Sequence, residues 1–432
     1  MKLSRIGRVS MALVVSVAMG LGMTACGGGT VGFMWVLGTQ YNQIAGFKID
    51  DYTGNLTNMP HSPFTSGGAN PVSLVVSPGG RFLYVVNEGV TPTTGNTSGP
   101  QQCGTNGSGI SEFSVGGDGV LTFQQCFASQ GSTPVWAQMD STGSFLYILD
   151  QQAPGTDCGT PTSTAASCFG DITVFSVASD TGRLTLVPNK QIKNPDGTQL
   201  TYFPVGSSPI MMKTAGAGCL FTVDSGDQTI FPYTIGTAGQ LTLPSNTTIA
   251  TGAGRLTSIN AGTGADVYLT DAAPDANSSG GYILPYTVGT GCALNTVTGG
   301  KVANLPQTSN PVYSMFASGS SSDYLYVANQ STTNSNAPAY SSISAFSIDR
   351  TTGKLQMIAN TQGNNPYPVG SGPVCMVEDP SSQYIYTSNN VDGTVTGFTL
   401  DKSTGQLSTL KRGSKFTATG LPTCLAVSGN VN

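Results

Sequence analysis

The chain has 432 residues, of which 9% are charged and 38% hydrophobic, with a formal net charge of −5. Charge so sparse beside that much apolar content excludes a highly charged disordered polymer, and 17 Lys and Arg without a basic cluster exclude a surface that tracks nucleic acid. The 57 Gly and 25 Pro fit an all-β protein with many tight turns, and one large repeat fold absorbs the whole length.

The N-terminus reads as a targeting segment, residues 1–25. Lys2, Arg5 and Arg8 precede an apolar stretch from Met11 to Met23, followed by Thr24, Ala25 and Cys26. Small residues directly before a Cys resemble the lipobox of bacterial lipoproteins, with Met23 where Leu is usual. The resemblance implies that Cys26 becomes a lipidated N-terminus, held firmly because each buried methylene contributes ~0.8 kcal/mol. Residues 26–31 are then a short tether and 32–432 the folded domain. No Asp follows Cys26, which fits sorting to an outer membrane.

Three motifs recur along the rest of the chain. An Ile/Val-x-x-aromatic-x-aliphatic run begins at Ile44, Ile110, Ile172, Ile230, Ile283, Ile343 and Val395. It is followed by a Gly turn and a Leu: Leu56, Leu121, Leu184, Leu241, Leu294, Leu355 and Leu407. Ahead of each lies an aromatic and β-branched run such as Phe82–Asn87 or Tyr384–Asn389, with a degenerate copy at Phe33. Upstream again is a strand start, usually Pro: 71, 134, 209, 311, 373 and 422, with Arg255-Leu256 in the remaining copy. Each unit is thus four strands, A to D, and seven units predict a seven-bladed β-propeller. The first unit lacks an A strand, and the chain ends on a spare one from Leu421 to Val427. The C-terminus is therefore expected to complete the first blade. Pro232 and Pro285 fall inside C strands and predict bulges or a shifted register.

With this topology the A–B and C–D turns lie on one face, the bottom, and the B–C and D–A connections on the top. The top loops are long (88–109, 151–171, 271–281, 330–342), where function is usually carried. The short tether to a B strand predicts a bottom face turned to the membrane. Beyond Cys26 there are eight Cys, an even number in an exported chain. The map pairs Cys158 with Cys168, Cys103 with Cys126, Cys219 with Cys292, and Cys375 with Cys424, the last clasping the ring.

The B strands end on polar residues: Asn87, Asp150, Asp224, Asp271, Asn329 and Asn389, with Glu88 adjacent and Arg255 heading an A strand. Around a channel mouth these carboxylates and one guanidinium would bind a small polar ligand, or act as acid and base. Asn and Asp at strand ends also start turns through their own backbone. His61, the single His, lies toward the rim of the first blade, and no phosphate loop, nucleophile elbow, calcium loop or Cys–His zinc pattern is present. No metal, cofactor or oligomer is expected. Tyr84, Tyr147, Tyr268, Tyr326 and Tyr386 share one repeat position and are expected in the core.

The stretches Asn70–Asn87 (NPVSLVVSPGGRFLYVVN) and Ile343–Leu355 (ISAFSIDRTTGKL) resemble the lactonase-type seven-bladed propeller family. That family includes 6-phosphogluconolactonase and the carboxymuconate cyclases, with distant YVTN-type surface repeats. The resemblance covers about Val31 to Val427. Its enzymatic members place Arg and His just after the A-strand Pro, facing the channel. Here those places hold Val72-Ser73, Val135-Trp136, Ile210-Met211, Val312-Tyr313, Val374-Cys375 and Thr423-Cys424, so no catalytic residue carries over. A sugar phosphate is also a cytosolic substrate, whereas this chain reads as exported. Three functions remain: an envelope lipoprotein that binds a ligand or partner at its top face without hydrolysis; an exported lactone hydrolase using Asp150, Asp224, Asp271 and Arg255; or an envelope protein scaffold.

Overall fold

The continuous apolar B-strand runs and the alternating C-strand runs pair side by side in every repeat. In a computed structural model they build seven antiparallel sheets wheeled around one axis, a seven-bladed β-propeller. The structure describes residues 29–90, 103–104, 106–156, 168–216, 218–244, 248–262, 264, 266–273, 280–304, 309–331, 341–358 and 365–429. Cys26 and Cys158 lie outside the described residues. Blade 1 takes its B, C and D strands from Thr30–Gly38, Gln43–Asp50 and Leu56–Asn58, and its A strand from Pro422–Ser428 at the far end of the chain. Met34 pairs with Val427 and Trp35 with Ala426, so the tail closes the ring as the spare strand predicts. In every blade but the second, a short return strand beyond D pairs with the start of C or with its neighbour.

The A strands are Pro71–Val76, Ser132–Met139, Pro209–Ala215, Leu256–Ala261, Ser309–Ser318, Pro373–Glu378 and Pro422–Ser428 in blades 2 to 7 and 1. Each meets the A strands of both neighbours, forming an unbroken inner wall around the axis.

One device joins blade to blade and explains two of the repeats. The expected core tyrosines are all fully buried. Tyr84, Tyr268, Tyr326 and Tyr386 donate to the carbonyls of Gly182, Gly353, Gly405 and Gly54 in the C–D turn of the next blade, at 2.6, 3.2, 2.8 and 2.6 Å. Trp35 in the degenerate repeat makes the same bond from Nε1 to Gly119 at 3.1 Å. Those glycines have φ near +70°, and a Cβ on Gly54 or Gly405 would stand 2.4 Å from the ring of Tyr384 or Tyr324. The Gly of each turn is thus fixed twice, by its backbone and by the aromatic wedged against it.

The two C-strand prolines behave differently from each other. In blade 4 the strand breaks into Thr229–Ile230 and Pro232–Ile235. In blade 5 Tyr282–Val288 runs on through Pro285, which faces Tyr268 without a register shift. The Pro285 carbonyl points outward and accepts from Val297 N at 3.2 Å. Its missing N–H therefore also falls on the outer side. At the equivalent places Gly46 and Ala345 donate that N–H only to the side chains of Ser62 and Asn365. Pro removes a donor that the B–C ladder does not use.

Three of the four expected disulfides are present: Cys103–Cys126, Cys219–Cys292 and Cys375–Cys424. Cys168 is also disulfide-bonded. The Cys375–Cys424 bridge ties blade 7 to blade 1 beside the paired termini.

Candidate functional site: the channel vestibule

The polar residues that end the B strands are engaged by their own sheets and by the connections that run between blades, as in the bond from Asn304 Nδ2 to Asn329 Oδ1 at 2.8 Å. Asn87, Asp150, Asp224, Asn329 and Asn389 are fully buried, and Asp271 nearly so. Asn87 donates to Ser111 Oγ at 2.8 Å, Asn329 to Ser344 Oγ at 2.8 Å and Asn389 to Thr396 Oγ1 at 2.9 Å. Asp150 accepts from Ser129 Oγ at 2.6 Å and Thr173 Oγ1 at 3.3 Å. These side chains turn outward to the C strand, where a Ser or Thr follows the first Ile or Val of the motif. Asp224 takes Thr222 Oγ1 at 2.9 Å. Asp271 collects the N–H groups of Gly254, Arg255 and Ala273 at 3.0, 2.8 and 2.9 Å, holding the D–A connection against the B–C one. Glu88 accepts from Asn70 Nδ2 at 2.5 Å, and burial raises its pKa.

The sequence pattern misses the partner of Asp150. Asp171, which opens the C strand opposite it, is fully buried, and Thr173 Oγ1 lies 3.5 Å from its Oδ2. Burial, and then the repulsion of Asp150, raises the Asp171 carboxyl well above its ordinary range. Burial pushes Asp150 up to about 7. Two carboxyls sealed around one hydroxyl hold at least one proton at neutral pH.

Arg255 is exposed and donates to Ala272 O at 3.3 Å. The pairing Leu256↔Asp271 matches Pro71↔Asn87 and Pro311↔Asn329. Leu256, not Arg255, therefore occupies the Pro place, and Arg255 stands one residue ahead of it on the rim. The sequence alignment slipped by one because neither residue is Pro. His61 is exposed in the loop outside the D strand of blade 1, remote from the inner wall.

All seven inner strands share an irregularity that the sequence does not announce. The A–B register shifts immediately after the Pro place in each blade. Such a bulge re-aims the side chain that it carries. The residue one past the Pro place is half-buried in every blade: Val72, Val135, Ile210, Thr257, Val312, Val374 and Thr423. On the innermost strand the exposed half opens on the channel. Thr257 and Thr423 spend their hydroxyls on Pro311 O and Pro71 O of the next blade, at 2.8 and 2.9 Å. What remains toward the channel is aliphatic.

The next residue brings two aromatics together across the axis. Trp136 of blade 3 and Tyr313 of blade 6 come from opposite sides of the ring, yet their ring centroids are 6.4 Å apart. Both pack on the core between blades 1 and 2, beside Cys375 and Cys424, and on the core between blades 4 and 5. Trp136 Nε1 is buried without a partner, and burial pushes the Tyr313 hydroxyl up to about 12. The sequence reading passes over this aromatic plug, although a signal exists: among residues two past the Pro place only blades 3 and 6 carry large aromatics, and in a ring of seven these face each other. Below the plug the only charged residues of the inner strands are Lys213 and Glu378. Burial lowers the pKa of the first and raises the second to about 7.

A closed wheel of seven antiparallel blades is the architecture of the lactonase-type propellers. The lactonase seven-bladed β-propeller model matches residues 30–202 and 309–427, more than half of the chain, and the protein belongs to that family. Among solved structures, the periplasmic gluconolactonase PpgL of Pseudomonas aeruginosa is similar at 15% identity and a TM-score of 0.62, over 92% of this chain and 99% of that one. A Lactobacillus plantarum protein is similar at 18% identity and a TM-score of 0.64, over 93% and 100%. At such identities these likenesses concern the fold. No curated protein matches the sequence.

Proposed function

We propose that this propeller is an exported, lipid-anchored binding protein of the cell envelope, which takes a small molecule in its top vestibule and does not hydrolyse lactones. The observation that carries the reading is the chemistry of the bulged ring. Where enzymatic relatives of the family place Arg and His, this chain presents aliphatic side chains over a Trp–Tyr floor. A hydrolase needs a base for water and donors for the oxyanion. Asp150 and Asp224 are buried under their own blades, and Asp271 is engaged by three backbone N–H groups. Export is supported by three disulfides, and by the N-terminal segment that ends in Cys26. The short tether sets the loop-rich top face away from the membrane, open to ligand.

The test is acid release from a panel of aldono- and acyl-lactones by purified protein. The expected outcome is no turnover above the spontaneous rate. Turnover that disappears in Arg255→Ala would establish the hydrolase instead.

A further inference from the structure

The vestibule has a definite chemical character, and it differs from that of a sugar site. Its floor is the Trp136–Tyr313 pair and its wall includes Val72, Val135, Ile210 and Val374. A sugar acid or lactone offers hydroxyls around its whole perimeter, and among the described residues this ring sets against them only Thr257 and Thr423, whose hydroxyls already donate to Pro311 O and Pro71 O. Burying such hydroxyls without partners costs ~1–3 kcal/mol each. An apolar body loses nothing there and gains from leaving water.

Among the described residues, one polar group marks each end of the cup. At the floor, Trp136 Nε1 is a buried donor that no described residue accepts. At the rim, Arg255 is exposed and donates to Ala272 O. It is the only cation on the described head of any inner strand: the residues ahead of the Pro place elsewhere are Asn70, Thr133, Ser208, Asn310, Gly372 and Leu421. Rim and floor are three strand residues apart, or ~10 Å at ~3.3 Å per residue. That depth fits one aromatic ring with a short chain.

Resting on the reading of the vestibule as a binding site, we infer that its ligand class is an amphipathic carboxylate. An aromatic or branched apolar body stacks on Trp136 and Tyr313, and one anionic group meets Arg255 at the rim.

Trp136 supplies the assay. The chain has two Trp, and Trp35 is fully buried in the seam between blades 1 and 2 with its N–H bonded to Gly119. A ligand-induced change of emission therefore reports Trp136. The mature chain is titrated with 4-phenylbutyrate, its neutral amide and glucono-δ-lactone, following emission and heat. The expected result is saturable binding of 4-phenylbutyrate that changes Trp136 emission, and at least ~10-fold weaker binding of the amide, as loss of a charge-assisted bond implies. Arg255→Gln should bring the acid down to the affinity of the amide and leave the amide unmoved. Trp136→Phe should abolish the emission change while heat of binding persists. Binding of the lactone in preference to the acid, with the Trp136 signal, would overturn this ligand class and leave the vestibule as the binding site. Silence from all three probes in both readouts would overturn both. An Arg255→Gln variant that binds the acid as tightly as the parent would remove the rim contact.

Discussion

The blade-to-blade tyrosine offers a sharp test, because one repeat position occurs in two states in the same molecule. Tyr386 is fully buried and donates to Gly54 O at 2.6 Å across the blade 7–blade 1 seam. Tyr147 is equally buried at the equivalent place, but its hydroxyl has no partner. Tyr386→Phe removes a hydrogen bond with a net contribution of ~1 kcal/mol and strips the glycine carbonyl of its donor, for a total of ~1–3 kcal/mol. Tyr147→Phe removes a buried hydroxyl whose desolvation is uncompensated, so stability should stay level or rise by ~1 kcal/mol. Blade 4 already carries Phe221 here, fully buried. The two substitutions delete the same atom, so their difference, ~1–4 kcal/mol, isolates the bond. Equilibrium urea unfolding of the oxidised domain by far-UV circular dichroism measures it. Equal losses in both variants would refute the account, since the hydroxyl would then act through packing alone. On the turn side, Gly54→Ala faces ~1–2 kcal/mol of left-handed strain and ~1–3 kcal/mol of overpacking against Tyr384, and should cost more than either tyrosine change.

Three further outcomes follow from other parts of the molecule. Asp150 and Asp171 have raised pKa values in the folded state, so they keep protons that the unfolded chain releases near pH 4. Their stabilising contribution is therefore complete in acid and is lost as pH rises through about 7. Urea midpoints should fall between pH 5 and 8, and Asp171→Asn should flatten that decline; parallel profiles for variant and parent would argue against the shared-proton pair. Opening the Cys375–Cys424 bridge with paired Ser substitutions should cost ~3–4 kcal/mol for a loop of this length and raise hydrogen exchange first in Thr30–Gly38 and Pro422–Ser428. Protection unchanged in those strands would show that strand pairing alone closes the ring. Cys26→Ser should move the protein from the detergent phase to the aqueous phase in a cloud-point partition, and an unmoved protein would refute lipidation at that residue.

The architecture was legible because each repeat states its strands in a period-two code and its turns in Gly and Pro. The spare strand at Leu421–Val427 was informative for a topological reason: a ring must return to its start, whereas a linear stack need not. The three disulfides followed because the blade map placed each Cys beside its partner. Arg255 was misplaced by one residue because the Pro that marks the strand head is absent from that blade, and only pairing with Asp271 fixes the register. Asp171 was overlooked because it sits one residue ahead of the I-x-x-F motif, outside the repeat used to align the blades. The bulge after the Pro place has no compositional signature: it is a property of how A and B strands must twist to meet at the axis, common to all seven blades whatever residue occupies it.

A bulge common to all seven blades separates the residues at the channel mouth from those that hold the blades together. Most residues that hold the wheel together face a partner: Tyr84, Tyr268, Tyr326, Tyr386 and Trp35 the next turn, and Asn87, Asp150, Asn329 and Asn389 a Ser or Thr of their own C strand. Each has a partner that penalises substitution. The bulged residue has no such partner across most of the ring, since its side chain opens on the channel and its backbone lies outside the regular ladder. Seven positions around one mouth can therefore change their chemistry while the seams stay intact. In this chain five of them are aliphatic and two are Thr bonded to the next blade, and the two aromatics beneath them meet across the axis. A lactonase-type scaffold can thus keep its blade-to-blade clamps and its ring closure whatever residues stand at the seven bulges.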